Sequence, residues 1–168
     1  MTCASLISTV EEAADLSVEV GKQAPDFTLR DENNEKITLS ELKGEPVVLM
    51  FYPLDFSPLC TTEHCSMRDS AHEQFAAAGA RVYGISRDSR WTHHAFKEKE
   101  NLPYSLLADM SGDVARAYGT WSEEAGVAER LTVVIGPDGV VRHLQRTENR
   151  GQERDHSESV AALQSASR

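Results

Sequence analysis

The pattern of hydrophobic and polar positions from Val18 onward predicts strands and helices that alternate along the chain. Apolar or β-prone runs predict strands at Phe27–Arg30, Lys36–Leu39, Pro46–Tyr52, Arg81–Ser86, Tyr104–Leu107, Arg130–Ile135 and Val140–Leu144. Apolar residues that recur every three or four positions predict helices at Ser57–Ala78, Trp91–Glu100, Gly112–Tyr118 and Ser157–Gln164.

Two short segments define the sheet that these strands are expected to form. Pro46–Tyr52 reads PVVLMFY and is apolar throughout, which is typical of a central strand covered on both faces. The GPDG segment at Gly136–Gly139 indicates a hairpin turn with glycine where a positive φ is required. The fold class predicted is therefore α/β, a three-layer sandwich with a mixed central sheet flanked by helices.

Residues 1–17 are predicted to be an N-terminal tail, with a short helix near Glu11–Leu16, and residues 18–168 to be a single domain. The N-terminus lacks a basic start and carries acidic residues, so no export signal is expected. No apolar run approaches the roughly 20 residues of a membrane-spanning helix. Three cysteines do not suggest a disulfide framework, and the expected compartment is the cytoplasm, where cysteine pairs are usually catalytic or metal-binding.

The net charge of the chain argues against two classes of binding partner. Lysine and arginine number 17 against 27 acidic residues, which gives a net charge of −10. An acidic chain is repelled by phosphate backbones and by anionic lipid, so neither nucleic acid nor a membrane surface is expected to bind.

Candidate chemistry is concentrated in the segment FYPLDFSPLCTTEHCSMRDS, Phe51–Ser70. A strand, a loop with proline and a helix follow one another there, with Ser57 predicted at the N-cap and Pro58 at the first helical position. Cys60 then lies in the first helical turn, where unpaired N–H groups and the helix dipole stabilise an anion. We expect Cys60 to be the most readily ionised thiol, with its N–H capped by the Ser57 hydroxyl.

Cys65 lies five residues further along the same predicted helix. In an intact α-helix, Cα atoms at this spacing are roughly 8–9 Å apart on about opposite sides. A disulfide needs Cα atoms within about 7 Å, so a Cys60–Cys65 bond would require the first helical turns to unwind.

Other interpretations of the cysteines stay open at this point. Cys60 could be an ordinary buried residue, and Cys65 a small hydrophobic residue on the inner face of the helix. A zinc site formed by Cys60, His64 and Cys65 is disfavoured because the C-x2-C spacing and a second ligand pair are missing. A thioredoxin-type C-x-x-C motif is also absent.

The segment Pro53-x-x-x-Ser57-x-x-Cys60 resembles the peroxiredoxin active-site motif P-x-x-x-[TS]-x-x-C. Similar segments occur in order from Val20 to Leu144, namely APDFTL, VVLMFYP, CTTEHCSMRD, GISRDS, LPYSLLAD and ERLTVVIGPDG. A second cysteine five residues after the first resembles the bacterioferritin comigratory protein, or Q-type, group. Tyr118–Arg142 is also similar to the E-type alkyl hydroperoxide reductases, which lack that cysteine, so the Q-type group is favoured.

This resemblance implies a thioredoxin-like fold and a thiol-dependent reduction of hydroperoxides without a metal or organic cofactor. It assigns Cys60 as the peroxidatic cysteine, whose thiolate attacks the peroxide and becomes a sulfenic acid. Ser57 is implied to hydrogen-bond the sulfur and the peroxide, and Pro53 to shield the thiolate from water. Arg130 is implied to stabilise the thiolate and to polarise the O–O bond.

The same resemblance assigns Cys65 as the resolving cysteine, which forms an intramolecular disulfide with Cys60. The expected partners are a hydroperoxide and thioredoxin or a similar dithiol protein, and the expected state is a monomer or homodimer. Two further hypotheses stay open: a one-cysteine peroxidase resolved by an external thiol, and a non-enzymatic peroxide sensor that signals through helix unwinding.

Several other residues have two interpretations. Glu63 either matches a glutamate of the resemblance or is a surface acid near the helix N-terminus. Solvated positions on polar helix faces are expected for four histidines, His64, His72, His93 and His94. Packing in the core or at an interface, rather than a substrate groove, is expected for Trp91 and Trp121. Cys3 is expected to be an exposed spectator thiol, and its alternative roles are a resolving thiol or a crosslink between chains.

Overall fold

The computed structural model describes residues 18–166, which form a seven-stranded mixed sheet with helices around it. The strands of this sheet are β1 (Thr28–Asp31), β2 (Lys36–Thr38), β3 (Val47–Phe51), β4 (Arg81–Ser86), β5 (Ser105–Ala108), β8 (Leu131–Ile135) and β9 (Val141–Arg146). Their order is β2-β1-β5-β4-β3-β8-β9, with β3, β4 and β5 parallel and the other pairs antiparallel. The predicted tail, its short helix and Cys3 lie outside the described residues.

The helices cover both faces of the sheet, as the pattern predicted. They are α1 (Pro58–Ser66), α2 (His72–Ala77), α3 (Arg90–Glu100), α4 (Asp113–Ala117) and α5 (His156–Ala166). Successive residues of β3 point to opposite faces: Val48 and Met50 join the buried cluster that includes α2, α3 and α5, whereas Leu49 and Phe51 join the cluster that includes α4. The predicted three-layer α/β sandwich is confirmed. None of the described helices is both long and apolar enough to cross a membrane.

The predicted hairpin after β8 is confirmed. Gly136 and Val140 close the turn with a backbone hydrogen bond of 2.9 Å, and Gly139 has a φ of 80°, which favours glycine. A second hairpin, β6 (Trp121–Ser122) with β7 (Val127–Ala128), was not predicted, because strands of two residues leave no measurable alternation in the sequence.

The predicted continuous helix Ser57–Ala78 is wrong at its centre. A π-helical turn, Met67–Ala71, separates α1 from α2, and the His72 N–H donates to the Met67 carbonyl. A π turn has more residues per turn than an α-helix and therefore shifts the faces of the two helices relative to each other. With this shift both Cys60 in α1 and Phe75 in α2 are fully buried.

Candidate active site

The loop between β3 and α1 places Cys60 in the first turn of a helix, as predicted. Ser57 has the extended backbone of an N-cap residue, with φ −66° and ψ 144°, and Pro58 begins α1. The Ser57 carbonyl accepts the Thr61 N–H at 2.9 Å. Cys60 is fully buried, and Pro53 lies half-buried in the same loop.

The predicted capping hydrogen bond from Cys60 to the Ser57 hydroxyl is wrong. That hydroxyl donates instead to the Leu54 carbonyl, with an O–O distance of 3.1 Å, and no side chain caps α1. The loop folds back on itself at Phe56, which has a φ of 63°, and this brings the Leu54 carbonyl within reach of Ser57. The first-turn N–H groups of α1 are therefore left without a side-chain acceptor.

Arg130 approaches Cys60 from the neighbouring strand. It immediately precedes β8, whose residue Leu131 pairs with Phe51 at the end of β3, so Arg130 lies next to the loop that enters α1. Its Nη2 donates to Cys60 Sγ at 3.3 Å, and its Nε donates to the Arg150 carbonyl at 2.8 Å. The structure thus brings together two predicted site residues that are 70 positions apart.

Glu63 also belongs to this site, and the alternative interpretation of Glu63 as a surface acid is wrong. Its Oε1 accepts hydrogen bonds from Arg130 Nη1 at 3.0 Å and from Arg154 Nη2, and its Oε2 accepts the Arg154 backbone N–H at 2.9 Å. Burial would raise the pKa of Glu63, but Arg154 and Arg130 outweigh it and hold that pKa at about 2. We refer to Cys60, Glu63, Arg130 and Arg154 as the Glu63 network.

Arg154 was not predicted from the sequence, and it is buried although it lies in the polar segment Gln152–Ser157. Its Nη1 donates to Thr132 Oγ1 at 3.2 Å, which connects the Glu63 network to β8. No apolar neighbour marks this arginine in the sequence, so no local signal could have identified it.

His64 is fully buried, and the prediction of a solvated histidine is wrong. Its Nδ1 shares a hydrogen bond of 2.6 Å with the Tyr104 hydroxyl, and its ring meets Tyr52 edge-on. Burial and the positive charge of Arg154 lower the pKa of His64 to about 3, so the ring is neutral at pH 7. Its spacing from Cys60, i to i+4 on the apolar stripe of the helix, was a usable signal of burial.

Gly84 makes room for the His64 ring beside β4. A Cβ atom at position 84 would lie 2.6 Å from Leu106 Cδ2, 3.2 Å from His64 Cε1 and 3.2 Å from Tyr52 Cε1. The glycine is therefore needed for close approach rather than for backbone freedom.

His93 is also buried rather than solvated, because it ties the loop before α1 to α3. Its Nδ1 lies 2.6 Å from Asp55 Oδ2, and its Nε2 donates to the Leu107 carbonyl at 3.1 Å. The Tyr52 hydroxyl donates to the other Asp55 oxygen at 2.5 Å. These bonds connect Tyr52 and Asp55, which lie on either side of Pro53, to α3 and β5.

Within residues 18–166, one group has the spacing of a metal site, Asp55, Asp88 and His93. All three are hydrogen-bonded to protein groups, since Asp88 Oδ2 accepts the Asp55 N–H at 2.9 Å and the Ser86 hydroxyl at 2.5 Å. This is not the set considered for zinc, Cys60, His64 and Cys65, in which His64 Nδ1 is bonded to Tyr104.

The remaining histidines and the two tryptophans differ in how far they are exposed to solvent. His94 is exposed, as predicted, and His72 is half-buried. Trp121 packs against a core cluster, as predicted, but Trp91 is 66% exposed, so the prediction of core packing is wrong for it. The Arg90 guanidinium covers the Trp91 ring at 4.1 Å.

Cys65 lies in the same intact helix as Cys60, and both are free thiols. It is partly buried, and its thiol donates to Glu100 Oε2 at 3.5 Å. Burial and the Glu100 carboxylate raise the pKa of Cys65, with Arg68 acting in the opposite direction. The two cysteines therefore have different electrostatic surroundings.

The chain is similar to a known protein family and to proteins of known structure. Residues 20–144 match the AhpC/TSA family. The chain is 43% identical over 140 residues to "Peroxiredoxin Q, chloroplastic" of Suaeda salsa, which covers 83% of this chain and 61% of that protein. It is 43% identical over 131 residues to "Peroxiredoxin Bcp" of Bacillus subtilis (strain 168), which covers 74% of this chain and 82% of that protein. The solved structure of "Peroxidoxin BcpB" from Mycobacterium tuberculosis superposes with a TM-score of 0.77 at 31% identity, over 88% of this chain and 97% of that one.

Proposed function

Since the chain belongs to the AhpC/TSA family, within its peroxiredoxin Q/Bcp group, we propose that it is a thiol-dependent peroxidase with Cys60 as the peroxidatic cysteine. The fold is the thioredoxin-like fold expected from the resemblance. The contact of 3.3 Å between Arg130 Nη2 and Cys60 Sγ is the observation that carries the assignment. A guanidinium aimed at a buried sulfur stabilises a thiolate, which is the reactive form of cysteine.

The charges of the Glu63 network support a thiolate at Cys60. Arg130 and Arg154 contribute two positive charges, and Glu63 contributes one negative charge. Buried charges are costly unless they are compensated, and a Cys60 thiolate supplies the second negative charge. A neutral thiol would leave one buried positive charge uncompensated.

In the proposed first step, the Cys60 thiolate attacks the terminal oxygen of the hydroperoxide. The O–O bond breaks, the sulfur is oxidised to a sulfenic acid, and the leaving oxygen takes a proton and departs as alcohol or water. The Arg130 fork stabilises the negative charge that moves onto the leaving oxygen. The uncapped first-turn N–H groups and the Ser57 hydroxyl orient the peroxide, and Pro53 limits the access of water.

In the proposed second step, α1 unwinds and the Cys65 thiol attacks the Cys60 sulfenic acid. The S–H bond of Cys65 and the S–O bond of Cys60 break, a disulfide forms and water leaves. Thioredoxin or a similar dithiol protein then reduces the disulfide by thiol–disulfide exchange. The intact α1 and the two free thiols are what this step requires of the reduced enzyme.

We place this cycle in the cytoplasm, where dithiol reductants keep thiols reduced. Some relatives are named as chloroplastic, so cell fractionation with an antibody to the chain is the test of compartment. The enzyme is proposed to act as a monomer or homodimer, which sedimentation of the reduced protein would distinguish.

Peroxide consumption by Cys60→Ser and Cys65→Ser tests the function. Cys60→Ser is expected to abolish consumption, and turnover at the wild-type rate would disprove the assignment.

Mass spectrometry after one equivalent of peroxide tests the second step, with linked Cys60 and Cys65 peptides expected. A persistent sulfenate would indicate a one-cysteine peroxidase, and a rate no better than that of a free thiol would indicate a sensor.

A further inference from the structure

Glu100 contacts α1 and the π turn that follows it, through two different groups. Its carboxylate Oε2 accepts the Cys65 thiol proton, with a sulfur–oxygen distance of 3.5 Å. Its backbone carbonyl accepts Arg68 Nη1 at 2.5 Å. Because Glu100 is the last residue of α3, both contacts join the segment that contains the second cysteine to a neighbouring helix. We name Cys65, Arg68 and Glu100 the Glu100 cluster.

The Glu100 cluster is separate from the Glu63 network. No residue is common to the two sets, and the hydrogen-bonded partners of Cys65 and Arg68 do not include Cys60. All three members of the cluster are partly buried, whereas those of the Glu63 network are almost fully buried. A change in the Glu100 cluster can therefore alter the behaviour of Cys65 without altering the surroundings of Cys60.

We propose that Glu100 is a positioning residue that retains Cys65 in the folded helix and so sets the rate at which Cys65 reaches the Cys60 sulfenic acid. This inference rests on the proposed function, because it presupposes that Cys65 resolves Cys60. Cys65 must leave α1 before the disulfide can form, and its contact to Glu100 must break as it leaves. The Arg68 contact, in the π turn that follows α1, ties the end of α1 to Glu100 and so opposes this unwinding.

The carboxylate next to Cys65 also lowers the reactivity of this thiol while the contact persists. Burial and the Glu100 carboxylate raise its pKa, so Cys65 is a protonated thiol while the contact persists. A protonated thiol is a poor nucleophile. The contact therefore keeps Cys65 in the helix and in its less nucleophilic form until it breaks.

A slower resolving step lengthens the life of the sulfenic acid. During that time a second hydroperoxide can oxidise the Cys60 sulfenic acid to sulfinic acid, and is itself reduced to alcohol. Glu100 thereby determines how much peroxide the enzyme tolerates before it is inactivated.

The test is a single-turnover experiment on Glu100→Gln and Arg68→Met, with Glu98→Gln as the matched control. Glu98 is an exposed acid of α3 whose ion-pair partner is His94, at 3.9 Å. Rapid acid quench, alkylation and mass spectrometry then follow Cys60 oxidation and disulfide formation separately. Disulfide formation is expected to be about fivefold faster in Glu100→Gln and about threefold faster in Arg68→Met. Cys60 oxidation is expected to be unchanged in all three variants.

Two further readouts exclude a general loss of structure. Amide hydrogen exchange of reduced Glu100→Gln is expected to be faster in α1 alone. The sulfinic acid formed at excess peroxide is expected to fall about fivefold, in proportion to the faster resolution.

The outcomes separate this inference from the proposed function. If wild type forms the linked peptide but Glu100→Gln and Arg68→Met resolve at its rate or more slowly, the positioning role is wrong and the proposed function stands. If wild type forms no linked peptide, the resolving role of Cys65 is wrong and the inference falls with it.

Discussion

Two regions of one helix, five residues apart, have opposite electrostatic surroundings. Cys60 faces the guanidinium of Arg130, whereas Cys65 faces the carboxylate of Glu100. The carboxylate raises the pKa of Cys65, whereas a guanidinium is the neighbour that the proposed Cys60 thiolate requires. The different roles proposed for the two cysteines therefore depend on Arg130 and Glu100, which are 70 and 35 positions away in the sequence. They do not depend on the helix that contains both cysteines.

The surroundings of the two cysteines also differ in how much a substitution there is expected to destabilise the protein. The Glu63 network is almost fully buried, and removal of one member of a buried ion pair is strongly destabilising. The Glu100 cluster is partly exposed and is held by single hydrogen bonds, each of which contributes about 1 kcal/mol. Substitutions on the Cys60 side are accordingly expected to have the larger effects.

Arg130→Met should leave the Cys60 sulfur without its guanidinium neighbour. The loss of the guanidinium is expected to slow Cys60 oxidation by about 100-fold, since one well-placed donor contributes that much to an anionic transition state. Stopped-flow measurement of the peroxide-dependent phase checks this. The control is Arg150→Met, because the Arg150 side chain is 40% exposed and its contact with Glu129 is 3.7 Å long. A reduction of less than threefold would contradict the role of Arg130.

Glu63→Gln should remove the charge that joins Arg130 to Arg154. At pH 7 the loss is expected to be about 3 kcal/mol of unfolding free energy, measured by urea denaturation, with exposed Glu73→Gln as the control. The pKa of Glu63 is about 2 in the folded chain against an ordinary value of 4.5. Its stabilisation is therefore complete above pH 4.5 and disappears as the pH falls to about 2, so the variant and wild type should converge there. Equal stability at pH 7 would contradict this role.

His64→Phe should remove the buried titratable group that lies between the two cysteines in the sequence. The pKa of His64 is about 3 in the folded chain against an ordinary 6.5, so the unfolded chain binds the proton first. This contribution is complete above pH 6.5 and is lost progressively as the pH falls towards 3. Wild type should lose about 2 kcal/mol of stability from this group between pH 7 and pH 5. The variant should not, and exposed His94→Phe should retain the wild-type slope.

Cys65→Ser should have the smallest effect on the first chemical step. Because Cys65 is outside the Glu63 network, the rate of Cys60 oxidation is expected to stay within about twofold of wild type. The linked peptide should disappear, and a stable sulfenate should be trapped by a dimedone-type reagent. A large fall in the oxidation rate would show that the two cysteines are coupled before helix unwinding.

Local patterns in the sequence predicted the fold well. The strand β3 is apolar throughout because both its faces are covered, and the GPDG segment contains glycine at the position with positive φ. The π turn was missed because the apolar positions around Met67 fit either helix type. Its presence depends on how α1 and α2 pack together on the sheet.

The candidate site was predicted in part. Pro53, Ser57 and Cys60 follow from a local motif, and Arg130 from a resemblance that extends from Val20 to Leu144. The burial of His64 could have been predicted from its i+4 spacing from Cys60, but its partner Tyr104 is 40 positions away, and the burial of His93 depends on Asp55, 38 positions away. A polar residue can be buried when a distant partner satisfies it, and no local pattern reports that partner.

The π turn has a consequence for the evolution of this chain. A π turn can be converted to an α-helical turn by deletion of one residue, and each residue turns a helix by about 100°. A deletion within Met67–Ala71 would therefore rotate Cys60 away from Arg130, or Phe75 out of the core. Surface loops can gain and lose residues at little cost. The number of residues between Cys60 and Phe75 should instead be invariant among functional descendants of this sequence.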